Sequence, residues 1–289
     1  MSKKIKNIKQ KEKISNNDLA LIKQAKKNMH DTGVLMKGID KVGGLVEIGM
    51  RRIPLKTQLW LQKHVNKILM ATLKANLLTL QKGKEFKKPS KKTYKTLVTS
   101  TGIASGVFGS TTGIGTVIFT SEMAISTKFI MRSIMDIARS HGEDLHDINT
   151  QLACLQVFAF GNSSKNKDGL ETSYYSTRVA MNSAIKEATK FVAQNGLKDL
   201  SKLLISSTNP LLKFLGTIAG RFTIQVSEKF IAQAIPIIGA VGGGSLNFAF
   251  INHFQKIAVS HFTIRALERK YGSELIMETY EQIEINKKP

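Results

Sequence analysis

Hydrophobic residues recur along most of this chain at steps of three and four positions, the spacing that places side chains on one face of an α-helix. The clearest case follows Pro54, where the pattern runs from Leu55 to Leu80. Similar patterns over residues 17–40, 122–142, 174–192, 211–222 and 253–271 predict further helices, with Gly142 and Gly272 as two of their ends. Pro occurs only five times, which suits long helices because Pro disrupts a helix interior. We therefore expect an all-α fold.

Two segments interrupt this pattern because they carry no charged side chain. Residues 96–121 read TLVTSTGIASGVFGSTTGIGTVIFTS and residues 230–252 read FIAQAIPIIGAVGGGSLNFAFIN. Small residues lie four apart in both, a spacing that lets helix backbones approach closely; we assign this packing role to Gly102, Gly106, Gly109, Gly113, Gly239 and Gly243. As a helix the first segment would be about 39 Å long, yet its many Gly, Ser and Thr make it weakly hydrophobic. We therefore expect a Gly-rich hairpin core that packs tightly and lies on or dips into a bilayer.

Charge is distributed unevenly along the chain. The formal net charge is +22, and residues 1–100 hold 24 basic and 6 acidic side chains, a net of +18. Most of the basic residues are Lys rather than Arg. We predict three parts on this basis: a disordered Lys-rich tail over residues 1–16, a basic helical extension over residues 17–54, and a helical domain over residues 55–289.

A polybasic surface attracts polyanions, and two features favour a membrane over nucleic acid. Lys is suited to diffuse attraction by anionic lipid, whereas base recognition favours the fork of Arg. No nucleic-acid-binding motif is present, and aromatic residues make up only 7% of the chain, which leaves few surfaces for base stacking. We therefore expect an anionic membrane surface or a membrane protein as the partner, and we do not expect nucleic acid.

Two groups of residues are the candidates for lipid binding. Trp60 lies beside Lys63 and Lys67 in the predicted helix after Pro54, a mixture typical of helices at a membrane interface. The same helix is also compatible with core packing and a solvated Lys face. The second group lies in a basic linker over residues 82–95 and consists of Lys87, Lys88, Lys91 and Lys92.

Catalytic signatures are absent from the sequence. It contains no HExxH zinc motif, no GxSxG elbow and no phosphate-binding loop. The best polar constellation is His261, Arg265 and Glu268, whose spacing of four and three places them on one helix face. This face is compatible with a surface ion-pair network or with the His/Glu site of a hydrolase or peptidase. We predict no metal site and no cofactor.

Cysteine content and the N-terminal residues bear on the compartment. The single cysteine, Cys154, lies among apolar neighbours and is predicted to be a buried, unreactive thiol. Residues 1–17 lack the apolar core of a secretory signal peptide. We therefore expect a cytoplasmic protein associated with the membrane; export by a specialised secretion machine, whose signal needs no apolar segment, stays open.

Three stretches of the sequence resemble a known family. The run AIPIIGAVGGGSLNFAFINHFQKIAVSHFTIRALERKYG over residues 234–272 resembles the C-terminal signature of the EcsC family of bacterial proteins. The runs IMRSIMDIARSHGEDL and LACLQVFAFGN, over residues 130–145 and 152–162, agree with it. The resemblance covers roughly residues 55–280 and implies a helical protein. Since the family is named after a gene in an ABC-transporter operon, it also implies a membrane setting, with a transporter as one candidate partner.

Overall fold

The computed structural model describes residues 14–30, 51, 53–81, 92–99, 113–160, 174–195, 210–234 and 236–284. Regular structure in these ranges is helical throughout, with no strand, so the expected all-α fold is confirmed. The α-helices are α1 (Asn16–His30), α2 (Leu55–Gln81), α3 (Gly113–Ser140), α4 (Ile148–Gln156), α5 (Tyr174–Asn195), α6 (Pro210–Ala234), α7 (Pro236–Tyr271) and α8 (Ser273–Gln282), and the 3-10 helix η1 (Val157–Ala159) follows α4. Residues 92–99 are also helical.

Helices α3, α6 and α7 are longer than their hydrophobic patterns predict. Helix α3 begins at Gly113 rather than at residue 122, and α7 begins at Pro236 rather than near residue 253. Pro suits the first position of a helix because the amide hydrogen that it lacks would have no partner within the helix. Gly has low helix propensity, but tertiary packing overrides propensity. Much of the second uncharged segment is therefore the start of the last long helix.

Two glycines end helices as the sequence predicts. Gly142 and Gly272 follow the ends of α3 and α7, and their φ angles are +79° and +91°. Such positive φ values are readily adopted by Gly because it has no Cβ atom. The amide of Gly272 also donates to the carbonyl of Glu268 at 2.9 Å, which satisfies one of the last carbonyls of α7.

Helices α3 and α7 pack side by side and run in the same direction. Their cross-helix hydrogen bonds join Gln255 to Ser133 at 2.8 Å and Arg265 to Glu143, in the turn after α3, at 2.8 Å. Both pairs are separated by 122 residues. Because the difference in residue number stays constant along the two helices, their N-terminal ends lie together, and so do their C-terminal ends.

The hydrophobic core includes buried side chains from all eight described α-helices, and an aromatic cluster lies within it between α6, α7 and η1. Helix α6 packs on α7, which follows it after residue 235, so the two form an antiparallel pair. Phe222 of α6 contacts Phe250 and Phe254 of α7, with ring centroids 6.0 and 5.5 Å apart, and Phe158 of η1 completes the cluster. All four rings are fully buried. Large aromatic side chains buried in this way supply much of the hydrophobic stabilisation.

A buried ion pair lies beside this aromatic cluster. Lys229 of α6 binds Glu122 of α3, and their side chains are 0% and 2% exposed. Gln233 donates to the second carboxylate oxygen of Glu122 at 3.1 Å, and the Lys229 ammonium lies 5.1 Å from the centre of the Phe250 ring. Buried charges are tolerated where they are paired and hydrogen-bonded. The pair therefore links α3 to α6 inside the core.

Helix α1 belongs to the same hydrophobic core. Its residues Ile22, Ala25 and Met29 are buried. Asp18 accepts hydrogen bonds from Lys270 and Tyr271, and Asn28 donates to Ser260 at 3.0 Å. Residues later in α1 therefore contact residues earlier in α7, which means that α1 runs antiparallel to the C-terminal half of α7.

The predicted Gly-rich hairpin falls largely outside the described structure. Gly102, Gly106 and Gly109 lie outside the described residues, Gly113 is the first residue of α3, and Gly239 and Gly243 lie in the first turns of α7. The pairing of the two segments therefore stays a prediction. None of the helices among the described residues has the length and apolar character needed to cross a membrane.

Candidate functional site

The three polar residues singled out on the last long helix lie in the C-terminal half of α7. The start of α5 and the turn between α3 and α4 pack around them and supply their partners. The residues involved, in addition to His261, Arg265 and Glu268, are Glu143, Tyr174, Tyr175, Arg178 and Arg269. We call this set the α7 polar cluster.

His261 lies at the buried side of the α7 polar cluster, with a fully buried side chain. Its Nδ1 atom is 2.8 Å from the Tyr174 hydroxyl, and the Phe160 ring lies 5.0 Å from the imidazole. Arg178 donates to the Tyr174 oxygen at 3.4 Å, and the buried Nε2 atom of the imidazole has no hydrogen-bond partner among the described residues. Burial first, and then the charges of Arg178 and Arg265, hold the pKa of His261 well below its usual range. The imidazole is therefore neutral.

Glu268 is held by α5 rather than by His261. Arg178 donates two hydrogen bonds to its carboxylate, both at 2.6 Å, and the Tyr175 hydroxyl donates a third at 2.9 Å. This is the bidentate geometry that makes Arg–carboxylate pairs strong. Burial, followed by the charge of Glu268, raises the pKa of Tyr175, so this hydroxyl remains a hydrogen-bond donor.

Arg265 contacts a different carboxylate, that of Glu143. Its Nε and Nη2 atoms each donate to Glu143 at 2.8 Å, and Arg269 binds the same carboxylate. Burial alone would raise the pKa of Glu143, but the hydrogen bonds and charges of Arg265 and Arg269 outweigh it and lower the pKa. Cys154 is fully buried, as predicted, and burial raises the pKa of its thiol.

Most hydrogen bonds of the α7 polar cluster join its own members, although Nε2 of His261 has no partner among the described residues, and this limits the chemistry of the cluster. His261 hydrogen-bonds Tyr174, whereas Glu268 is engaged by Arg178 and Tyr175, so the structure brings these two predicted catalytic residues into one network without a direct bond between them. No group of three His, Cys, Asp or Glu side chains suited to a metal ion occurs within the described residues. A hydrolase role stays a prediction that this arrangement does not favour.

Sequence reasoning missed the partners of these residues. Tyr174 and Arg178 are four apart at the start of α5, a spacing that places them on one helix face, but nothing in the sequence connects that face to α7. Glu143 lies in a turn that the sequence marks only by its charges and by Gly142. Each pairing joins residues 87 or more positions apart.

A second candidate region is the outer face of α2. Leu55 and Leu59 are 69% and 56% exposed, and Lys56, Lys63 and Lys67 are exposed on the same helix. Residues 48–84, which include all of α2, contain no Asp or Glu. We call these five residues the α2 outer face; it combines exposed apolar side chains with positive charge alone.

The other predicted lipid-binding residues are placed differently. The Trp60 ring is half-buried and lies 4.4 Å from His64 and 6.0 Å from Phe230, so it packs largely against the protein. Lys92 is exposed at the start of the helical residues 92–99. The remaining predicted residues, Lys87, Lys88 and Lys91, lie outside the described residues.

Comparison with known proteins shows which family the chain belongs to. The family model of the EcsC protein family matches residues 2–267. The match begins well before residue 55, so the family pattern extends further towards the N-terminus than the expected residues 55–280. No match is found among curated proteins or solved structures. Because the family match spans most of the 289 residues, the chain belongs to the EcsC protein family.

Proposed function

We propose that this protein binds the surface of membranes that contain anionic lipid, as a peripheral protein. The observation that carries the proposal is the α2 outer face, where Leu55 and Leu59 are exposed next to three exposed lysines and no acidic side chain. Apolar side chains flanked by Lys are typical of helices that lie at the interface of anionic membranes.

The expected affinity follows from the charges on this face. Each Lys near an anionic bilayer contributes roughly 1 kcal/mol of attraction at physiological ionic strength. Lys56, Lys63 and Lys67 together supply about 3 kcal/mol, and shallow burial of Leu55 and Leu59 adds to it. Binding should weaken as salt is added, because the Debye length falls from about 10 Å at 0.1 M to about 3 Å at 1 M.

The test is flotation of the full chain with protein-free vesicles of phosphatidylcholine alone or mixed with phosphatidylserine. We expect the protein to float with the anionic vesicles and to be released by high salt. Replacing Lys63 and Lys67 together (Lys63→Gln, Lys67→Gln) removes two charges and should weaken binding by roughly 30-fold, which corresponds to about 2 kcal/mol.

The matched control is the pair Lys186→Gln and Lys190→Gln on α5. These lysines are exposed and four apart, like Lys63 and Lys67, and their removal makes the same change in net charge. Equal loss of binding in both double variants would show that overall charge, rather than the α2 outer face, attracts the vesicles. If the wild-type protein does not float with anionic vesicles at low salt, the proposal fails.

A further inference from the structure

Exposed acidic side chains occur on only a few elements of the described structure. They lie in the turn between α3 and α4, on α5, and on or just after α8: Asp144, Asp147, Glu187, Glu274, Glu278, Glu281 and Glu284. Helix α3 has only two acidic residues, Glu122 and Asp136, and both are buried. Helix α7 has none before Glu268, and residues 92–99 have none at all. Glu228 on α6 is half-buried, and burial raises its pKa to about 7. Exposed acidic side chains are therefore absent from α3, from α7 and from residues 92–99.

Exposed apolar side chains cluster where the acidic ones are absent. Ten large hydrophobic residues are exposed among the described residues. Six of them lie on α2, residues 92–99, the first half of α3 or the first half of α7: Leu55, Leu59, Leu97, Val117, Ile125 and Phe248. Exposed lysines accompany them on the same elements, among them Lys92 and Lys128.

Specific contacts place these elements at one end of the molecule. Because α3 and α7 run parallel, their first halves lie together. Residues 92–99 run from the second half of α3 towards this end: the Tyr94 hydroxyl donates to Asp136 at 2.8 Å, and the side-chain amide of Asn247 donates to the carbonyl of Val98 at 2.7 Å. The start of α2 joins the same end through Phe230, whose ring lies 6.0 Å from Trp60 and 5.1 Å from Phe119. We call this end, with its six exposed apolar residues, the basic-apolar end.

We infer that the basic-apolar end faces the bilayer and that Val117 and Phe248 enter its interfacial region. This inference depends on the proposed function and adds an orientation and further contact residues to it. An anionic lipid surface matches both properties of this end, because lysines would meet headgroup charge while apolar side chains enter the acyl boundary. Helix α8 and the start of α5, which pack near the C-terminal end of α7, would then point away from the membrane.

The experiment places an environment-sensitive fluorophore at single introduced cysteines in the full chain. Val117→Cys and Phe248→Cys report on the basic-apolar end, and Val179→Cys on α5 and Met277→Cys on α8 report on the opposite end. All four native side chains are exposed, at 68%, 46%, 58% and 38%. Cys154 is fully buried and should resist labelling. The vesicles contain phosphatidylserine and a lipid with a nitroxide quencher near the headgroup.

We expect the labels at positions 117 and 248 to brighten several-fold on vesicle binding and to be quenched by the nitroxide, while the labels at 179 and 277 stay unchanged. Floating protein with equal or reversed responses would overturn the orientation while leaving the proposed function intact. If none of the labelled proteins floats, both proposals fail. A response at 117 and 248 that rises with protein concentration without vesicles would show a second copy on this surface and would also overturn the inference.

Discussion

Among single residues, His261 shows how its surroundings determine what a side chain can do. The sequence places it on a polar helix face, where a charged or reactive imidazole would be a reasonable expectation. In the structure its ring is fully buried against Phe160 and hydrogen-bonded to Tyr174, with the cations Arg178 and Arg265 close enough to disfavour its protonation. A neutral imidazole buried in this way behaves as a structural hydrogen-bonding group.

Acid should therefore destabilise the fold through His261. In the unfolded chain His binds a proton near pH 6.5, whereas the folded state resists protonation. The unfolded state then binds more protons, so the free energy of unfolding should fall as the pH drops below about 6.5, by up to about 1.4 kcal/mol per pH unit. Chemical denaturation of wild type and of His261→Asn between pH 7.5 and 5 measures this slope, which the variant should reduce.

Replacement of the exposed His146 by Asn is the control. The reduction of the slope should be larger for His261→Asn than for this control. If His261→Asn and His146→Asn have the same effect on the slope, the imidazole of His261 is not the group responsible.

Residue-scale features were predictable where the cause is local. Cys154 was expected to be buried because its sequence neighbours are apolar, and Gly142 was expected to end a helix because the hydrophobic pattern stops there. The partners of His261 and Glu268 were not predictable, since Tyr174 and Arg178 come from another helix. Spacing along one helix defines a face but does not identify which helix packs against it.

At the scale of elements, glycine has two opposite effects in this fold. Gly272 ends α7 with a φ of +91°, where a side chain would strain the backbone. Gly220 lies within α6, exposed, and a Cβ atom there would meet nothing within 4 Å. An exposed helical Gly lowers stability relative to Ala, because Gly loses more backbone freedom on folding.

Substitution by Ala should therefore act in opposite directions at the two positions. We expect Gly272→Ala to lower the free energy of unfolding by about 1–3 kcal/mol and Gly220→Ala to raise it by about 0.5–1 kcal/mol. Thermal and urea denaturation of the two variants measure both changes. Destabilisation by Gly220→Ala would indicate a close neighbour of α6, and a neutral Gly272→Ala would show that the end of α7 relaxes without strain.

Element boundaries were predictable for helices whose hydrophobic pattern is complete. Helix α2 was expected from residue 55 to 80 and is observed as Leu55–Gln81. The N-terminal parts of α3 and α7 were not expected as extensions of those helices, because their many small residues have weak helix propensity and no clear apolar face. Packing between helices, which the sequence does not display, determines these boundaries.

For the molecule as a whole, the first and the last described helices meet. Helix α1 lies along the C-terminal half of α7, and the ammonium of Lys26 donates to the last carbonyls of α8, those of Tyr280 and Glu281, at 2.7 and 3.1 Å. A cation at the C-terminal end of a helix is favourable because the carbonyls there carry partial negative charge. The division of the chain into a basic extension and a separate helical domain stays a prediction that can be tested through α1.

Two neighbouring residues of α1 make that test. Ile22 is fully buried and Leu21 is 48% exposed. If α1 stabilises the whole fold, Ile22→Ala should lower the free energy of unfolding by about 2–5 kcal/mol in a single transition, whereas Leu21→Ala should change it by less than about 0.5 kcal/mol. Urea denaturation followed by circular dichroism measures both. An unchanged main transition in Ile22→Ala would show that residues 17–54 are a separable extension.

The ion pair between Lys229 and Glu122 has a mechanical consequence for the bundle. Sliding α3 along α6 by one helical turn, about 5.4 Å, would carry the carboxylate away from the ammonium and leave two uncompensated charges in an apolar interior. Such charges cost several kcal/mol each, whereas purely hydrophobic helix faces tolerate small displacements far better. The pair thus fixes the axial position of α3 against α6. A rearrangement at this end that keeps the pair intact has to move both helices together.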